Sequence, residues 1–113
     1  MDCVFCKIEA KEIPSEIVYE DDEIIAFPDI NPSAPVHILI IPRKHIETLT
    51  DLKKADMPLI GRMAEVAIKL AGERGLGKRG YRVVINSGKE GGQVVPHLHM
   101  HLLGGRRITP GIV

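Results

Sequence analysis

Val94-Val95-Pro96-His97-Leu98-His99-Met100-His101-Leu102-Leu103 sets three histidines in strict alternation with apolar residues. Alternation is the signature of a strand buried on one face, because successive side chains leave a pleated backbone on opposite sides. His97, His99 and His101 then share one surface, while Leu98, Met100 and Leu102 enter a core on the other. Pro96 has no N–H for a ladder, so the strand from Val94 to Leu103 is expected at an edge or bulged at that point.

Working outward, Val36-His37-Ile38-Leu39-Ile40-Ile41 reads as a strand stopped at Pro42. Ile17-Val18-Tyr19 and Ile24-Ile25-Ala26-Phe27 flank the acidic turn Glu20-Asp21-Asp22-Glu23 and form a hairpin. Pro28 and the following Asp29-Ile30-Asn31-Pro32-Ser33-Ala34-Pro35 read as loop, and Tyr81 to Asn86 as strand. Ile60, Met63, Ala64, Ala67, Leu70 and Ala71 recur at helical spacing and predict a helix from Asp56 to about Gly75. Pro58 suits its first turn, and Gly75 and Gly77 its stop. Strands, one main helix, then strands again make an α+β class with an antiparallel sheet.

The chain has 113 residues, 44% apolar and 27% charged, with 15 basic against 15 acidic side chains. That size and composition predict one globular domain over 1–113. No apolar run approaches the ~20 residues of a membrane helix. The start, Met1-Asp2-Cys3, lacks the features of a signal peptide. Zero net charge and 4% aromatic residues without Trp argue against a polynucleotide partner.

Three readings of the histidine row remain open on the residues alone. One is a half-buried strand that simply contains histidines. A second is a single metal site, but side chains two apart on a strand lie ~6.6 Å apart and the end pair ~13 Å, a strain for bonds of ~2.0–2.1 Å. The third uses a neutral imidazole as a nucleophile, its reference pKa being ~6.5. The loop Ser87-Gly88-Lys89-Glu90-Gly91-Gly92 favours the third. Its glycines let backbone N–H groups close on an anion, with Asn86 and Gln93 as amide donors at either end. No Walker-type sequence or strand-initiated GxGxxG is present.

Cys3-x-x-Cys6 stands in a chain with the character of a reducing compartment, which disfavours a disulfide. A redox pair is an open alternative, but zinc is the better reading, with Cys3 and Cys6 as two ligands and His45 as a third.

His97-Leu98-His99-Met100-His101-Leu102-Leu103 resembles the His-x-His-x-His-x-x signature of the histidine triad (HIT) family. The likeness extends over Phe27-Pro28-Asp29-Ile30, His37 to His45, Gly80 to Asn86, and Gly91-Gly92-Gln93. Gly104-Gly105-Arg106 is similar to the Hint branch, the purine nucleoside phosphoramidases. The resemblance implies a sheet of about five antiparallel strands, one main helix and a short N-terminal helix. It implies a cytoplasmic homodimer that hydrolyses the α-phosphate P–N or P–O bond of AMP- or GMP-type purine nucleotides. Dinucleoside polyphosphate hydrolysis and a non-catalytic nucleotide-binding adaptor are the alternatives.

By the same resemblance His99 is the nucleophile, and His37, His101, Asn86, Gly92 and Gln93 surround the phosphate. Asp29 holds the ribose hydroxyls, and Ile30, Phe5, Ile8 and Phe27 form the base slot. Val94 stands where the branch usually has Ser or Thr, so only its backbone N–H is available to the phosphate. The zinc set, completed as in similar CxxC-bearing members, is Cys3, Cys6, His45 and His97.

Overall fold

The structure, a computed structural model, describes residues 3–110. A short helix α1 (Val4–Glu9) precedes strands β1 (Tyr19–Glu20), β2 (Ile24–Pro28) and β3 (Val36–Pro42). Two single 3₁₀ turns lead into the main helix α2 (Pro58–Glu73), followed by β4 (Arg82–Val84) and β5 (Met100–Gly104). The strands form one antiparallel sheet in the order β1-β2-β3-β5-β4. No helix among the described residues is long and apolar enough to cross a membrane.

The hairpin turn is tied by Asp21, whose Oδ1 accepts the N–H groups of Glu23 and Ile24 at 2.8 Å each. Its first strand is shorter than expected: of Ile17-Val18-Tyr19 only Tyr19 joins the ladder, together with Glu20, although Val18 N–H still bonds Ala26 O at 2.9 Å. Pro28, expected in the loop, instead ends β2 opposite Ile38, and Pro42 likewise ends β3 opposite Ile24. A terminal strand position tolerates a missing donor. Strand β4 keeps only Arg82–Val84 of the expected Tyr81–Asn86.

The largest departure concerns the histidine segment. Strand β5 starts at Met100, four residues after Pro96, and pairs on both sides, with β3 and with β4. It is therefore not an edge strand, and Pro96 lies in the bend that delivers the chain to it. Alternation nonetheless survives outside the ladder. Leu98, fully buried, joins Met100 and Leu102 in the core beneath α2, while His97 and His99 are buried toward the opposite face. Leu98 N–H finds Ile46 O at 2.7 Å, which replaces a ladder bond for this stretch.

Helix α2 buries Met63, Val66, Ala67, Leu70 and Ala71. Ile60 and Ala64, expected in the stripe, are half-buried, because the contact line with the sheet runs nearer Val66. Its C-terminus closes with a Schellman arrangement: Leu76 N–H bonds Ala71 O at 2.8 Å and Gly75 N–H bonds Gly72 O at 3.1 Å. The sheet thus has two distinct faces. Ile24, Ala26, Ile38, Ile40, Met100 and Leu102 pack with α2, whereas Ile25, Phe27, Leu39 and Ile41 pack with Cys3 and Phe5 of the α1 segment. Leu102 is fully buried on the α2 side. Leu102→Ala is expected to cost about 2–5 kcal/mol, read as a lower urea midpoint in equilibrium unfolding.

Candidate active site and metal centre

On the α1 face, strand register lines up Phe27, Leu39, His101 and Val84 across β2, β3, β5 and β4. His37 lies two residues before Leu39 and so shares that face. Above this row is a cavity of about 530 Å³, in the size range of small-molecule sites. Its walls bring together His99, His101, His37, Asp29, Asn86, Gly92 and Val94 with the apolar Phe5, Ile8, Phe27 and Ile30. The histidine row does not act as one unit. His97 turns away toward the cysteines, and only His99 and His101 face the cavity, their ring centres 4.9 Å apart.

Hydrogen bonds fix which nitrogen of His99 is free. Its Nδ1 sits 2.7 Å from the carbonyl of His97, and a carbonyl only accepts, so Nδ1 carries the proton. In the neutral ring, Nε2 is then the nitrogen that keeps its lone pair. The Phe5 ring meets the imidazole edge-on at 5.1 Å between centroids, which holds its plane. His37 is buried, with Nε2 at 2.9 Å from Nδ1 of His101 and 3.5 Å from Oδ2 of Asp29. The other Asp29 oxygen accepts Asn31 N–H at 2.8 Å, so a local turn uses one oxygen and leaves the second toward the cavity region.

The glycine loop folds as a tight turn. A side chain at Gly91 would bring its Cβ within 2.4 Å of Ser87 O, so only glycine fits there. Asn86 reaches Gly91 O at 2.8 Å while still lining the cavity. Gln93 is placed differently from the expected amide donor. Its Nε2 bonds Glu47 O and Val95 O at 2.6 and 2.9 Å, and its Oε1 accepts Gly88 N–H at 2.8 Å. The Gln93 side chain is therefore occupied in framing the loop. Val94 is 89% exposed and Ile30 90% exposed, both on the cavity rim. Ser33, Leu39 and Val95 also line the cavity and escaped the sequence reading. Leu39 was readable from the alternation with His37; Ser33 and Val95 depend on how the loops close.

Cys3, Cys6, His45 and His97 form the second cluster, with all four donor atoms within 4.8 Å of one another. Cys3 Sγ and Cys6 Sγ lie 3.4 and 3.5 Å from Nδ1 of His97, His45 Nδ1 lies 3.2 Å from Cys6 Sγ, and the two Nδ1 atoms are 3.2 Å apart. Tetrahedral thiolate–imidazole sites place donors roughly 3.3–3.8 Å apart, so the set fits a metal ion. His97 Nε2–H donates to Pro42 O at 2.8 Å, which turns the Nδ1 lone pair toward the cluster, as a metal-holding imidazole requires. Burial, then the adjacent Cys3, pushes the Cys6 thiol up to about 11, so without a cation it stays protonated and a poor redox group.

Burial, then the rings of His99 and His37, push the His101 imidazole down to about 4, with Asp29 acting in the opposite sense. Burial also lowers His37, again opposed by Asp29. Between pH ~6.5, where unfolded histidine takes up a proton, and about 4 for His101, the unfolded chain binds more protons than the folded one. Stability from this group is complete above the upper limit and is lost as pH falls through the window. Thermal melts are expected to show Tm declining with acid over that range, and His101→Gln to flatten the decline.

The HIT domain family model matches residues 10–108. The chain is 50% identical over 107 residues to the purine nucleoside phosphoramidase of Escherichia coli (strain K12), covering 95% of this chain and 90% of that protein. The crystal structure of a HIT family hydrolase from Legionella pneumophila Philadelphia 1 superposes with a TM-score of 0.93 at 51% identity, over 96% of each chain. A Zn-bound histidine triad family protein from Mycobacterium smegmatis superposes with a TM-score of 0.81 at 34% identity, over 94% of this chain and 76% of that one. The chain belongs to the histidine triad (HIT) family.

Proposed function

We propose that this protein is a purine nucleotide hydrolase that cleaves the bond between the α-phosphorus and a leaving amine or alcohol, releasing nucleoside monophosphate. The observation that carries this reading is the His99 imidazole, whose proton is fixed on Nδ1 by the His97 carbonyl, on the wall of a cavity sized for a mononucleotide. A pre-oriented neutral lone pair is what attack on phosphorus needs. Nε2 of His99 bonds to the α-phosphorus while the P–N bond breaks, and the amine leaves with a proton taken up from solvent. Water then adds to phosphorus, the P–Nε2 bond breaks, and the water's surplus proton returns to solvent. His37, His101, Asn86, Gly92 and the backbone N–H of Val94 are assigned to the phosphate, and Gln93 to holding their loop. Asp29 is assigned to the ribose, and Phe5, Ile8, Phe27 and Ile30 to the base. The purine nucleoside phosphoramidase relative supports this substrate class.

Lining chemistry favours a short phosphate chain. No lysine or arginine is among the described residues around the cavity, and one of them, Asp29, is acidic. A dinucleoside polyphosphate would bring further anionic groups past the α-phosphate without a cation to meet them. Val94, in place of a hydroxyl residue, leaves the leaving-group side with an apolar rim. Steady-state kinetics on a panel of adenosine and guanosine phosphoramidates, with a dinucleoside polyphosphate for contrast, tests these assignments. His99→Ala is expected to lose at least about 10³-fold in kcat while still binding AMP, and Val94→Ser to raise kcat/KM. A His99→Ala protein with undiminished turnover would sink the reading; an inactive wild type that binds AMP would favour the adaptor alternative.

The same proposal treats 1–113 as one HIT domain, cytoplasmic on the strength of its two free cysteines, with zinc held by Cys3, Cys6, His45 and His97. Zinc there would brace the α1 segment and the His97 backbone, with no part in bond breaking. The Zn-bound relative supports the choice of metal. The chain is assigned a homodimer, using the outer edge of β4 and exposed apolar residues on α2 such as Ile68, which is 62% exposed. Elemental analysis of protein purified without chelator is expected to find about one zinc per chain, and light scattering a particle of twice the 12.5 kDa chain mass. Metal-free preparations with four intact ligands, or a monomer, would overturn the respective assignment.

A further inference from the structure

Gly104-Gly105-Arg106 follows the histidine strand and takes no part in the chemistry above. A Cβ at Gly104 would fall 2.8 Å from Leu76 Cδ1, and one at Gly105, where φ is +94°, would fall 2.9 Å from Pro35 Cβ. The two glycines therefore let the chain end β5 hard against Leu76, just beyond the end of α2, and turn back onto the 29–35 loop. Arg106 is thereby brought to that loop, and its Nη2 donates to Ser33 O at 2.9 Å. Ser33 N–H in turn donates to Nδ1 of His37 at 2.9 Å.

A backbone N–H can only donate, so Nδ1 of neutral His37 must present its lone pair and the ring proton must sit on Nε2. The 2.9 Å contact between His37 Nε2 and His101 Nδ1 is then a donation from His37. His101 accepts at Nδ1, so its own proton sits on Nε2, which has no protein partner among the described residues. We propose that Arg106, by anchoring Ser33 through its carbonyl oxygen while the Ser33 N–H of the preceding peptide faces His37, is a positioning residue that sets the tautomers of His37 and His101 in series, so that His101 offers an N–H to the substrate's anionic oxygen. The opposite tautomers would aim a lone pair at that oxygen.

The same amide decides between an anion and a metal in this pocket. Asp29, His37 and His101 place three donor atoms within 4.8 Å, a spacing a metal ion could use. To ligate, His37 Nε2 would have to give up its proton to Nδ1, where the Ser33 N–H already points. The Ser33 amide thus keeps a donor where a ligand could have been. The burial that keeps both rings neutral at pH 7 makes the choice of tautomer matter.

The assignment rests on the proposed reaction for its kinetic consequence, but the tautomers can be read without turnover. Long-range ¹H–¹⁵N spectra of the zinc-loaded protein at pH 7.5 separate protonated from unprotonated ring nitrogens. Wild type is expected to show unprotonated Nδ1 in His37 and His101 and protonated Nδ1 in His99. In Arg106→Ala the His37 and His101 signals are expected to move together toward averaged values. There kcat on an adenosine phosphoramidate is expected to fall about tenfold with KM nearly unchanged, since the lost donor acts in the transition state. Arg106→Lys, which keeps one donor for the Ser33 carbonyl, is expected to restore part of both. Protonated Nδ1 in wild-type His37 or His101 overturns the proposal, as does an Arg106→Ala protein with wild-type spectra and kcat. Wild-type spectra as described in a protein that turns over no amidate would instead overturn the hydrolase reading and leave the tautomer assignment standing.

Discussion

The His97 peptide carbonyl, 2.7 Å from Nδ1 of His99, is the contact on which the site depends. One residue serves two centres through different atoms. Its Nδ1 looks into the cysteine cluster, its Nε2–H is anchored on Pro42 O, and its carbonyl sets the protonation pattern of the next histidine. Pro42 is well suited to the anchoring role: as the last residue of β3 it has no N–H, but its carbonyl points to His97. The side chain at 97 is therefore held from both ring nitrogens, and the peptide that follows inherits that fixed position. In the reaction proposed for this cavity, an imidazole held in this way presents its free nitrogen in one fixed direction.

Segregation of the two sheet faces makes this arrangement affordable in stability. Leu98, Met100 and Leu102 commit the histidine segment to the α2 core, where each is at most 3% exposed. Burial on that side fixes the register of the other, because a slip of one residue would send three imidazoles into an aliphatic core. The polar face is correspondingly complete: among the described residues no buried side-chain nitrogen or oxygen lacks a hydrogen-bond partner. One histidine nitrogen without a protein partner among the described residues, Nε2 of His101, belongs to a ring that lines the cavity.

Much of this was legible in the chain. Alternation around His99 located the functional face, and the helical spacing of Met63, Ala67, Leu70 and Ala71 located the element covering the other one. What the residues could not display was where pairing stops. Pro96 was a sound signal of interrupted pairing, but the interruption displaces the start of β5 to Met100 without moving it to an edge, since His101, Leu102 and Leu103 pair on both sides. Gln93 shows a second limit. A carboxamide beside a glycine loop has the right chemistry for a phosphate, yet Glu47 O, Val95 O and Gly88 N–H claim both of its ends, contacts set by loop closure across 46 residues in one case. The Ser33 amide is invisible to composition altogether, because every residue but proline carries one.

Helix α1 has only six residues, too short to persist unaided in water. It holds Cys6, is capped by Cys3, and places Phe5 against both Phe27 and His99, at centroid distances of 5.5 and 5.1 Å. Its persistence is borrowed from those side-chain anchors. The Phe5 part of the cavity wall and the two cysteines consequently share one anchored segment, separate from the α2 core. Excursions that open one open the other, so amide exchange at Phe5 and at Cys6 should proceed at a common rate while the central strands remain closed.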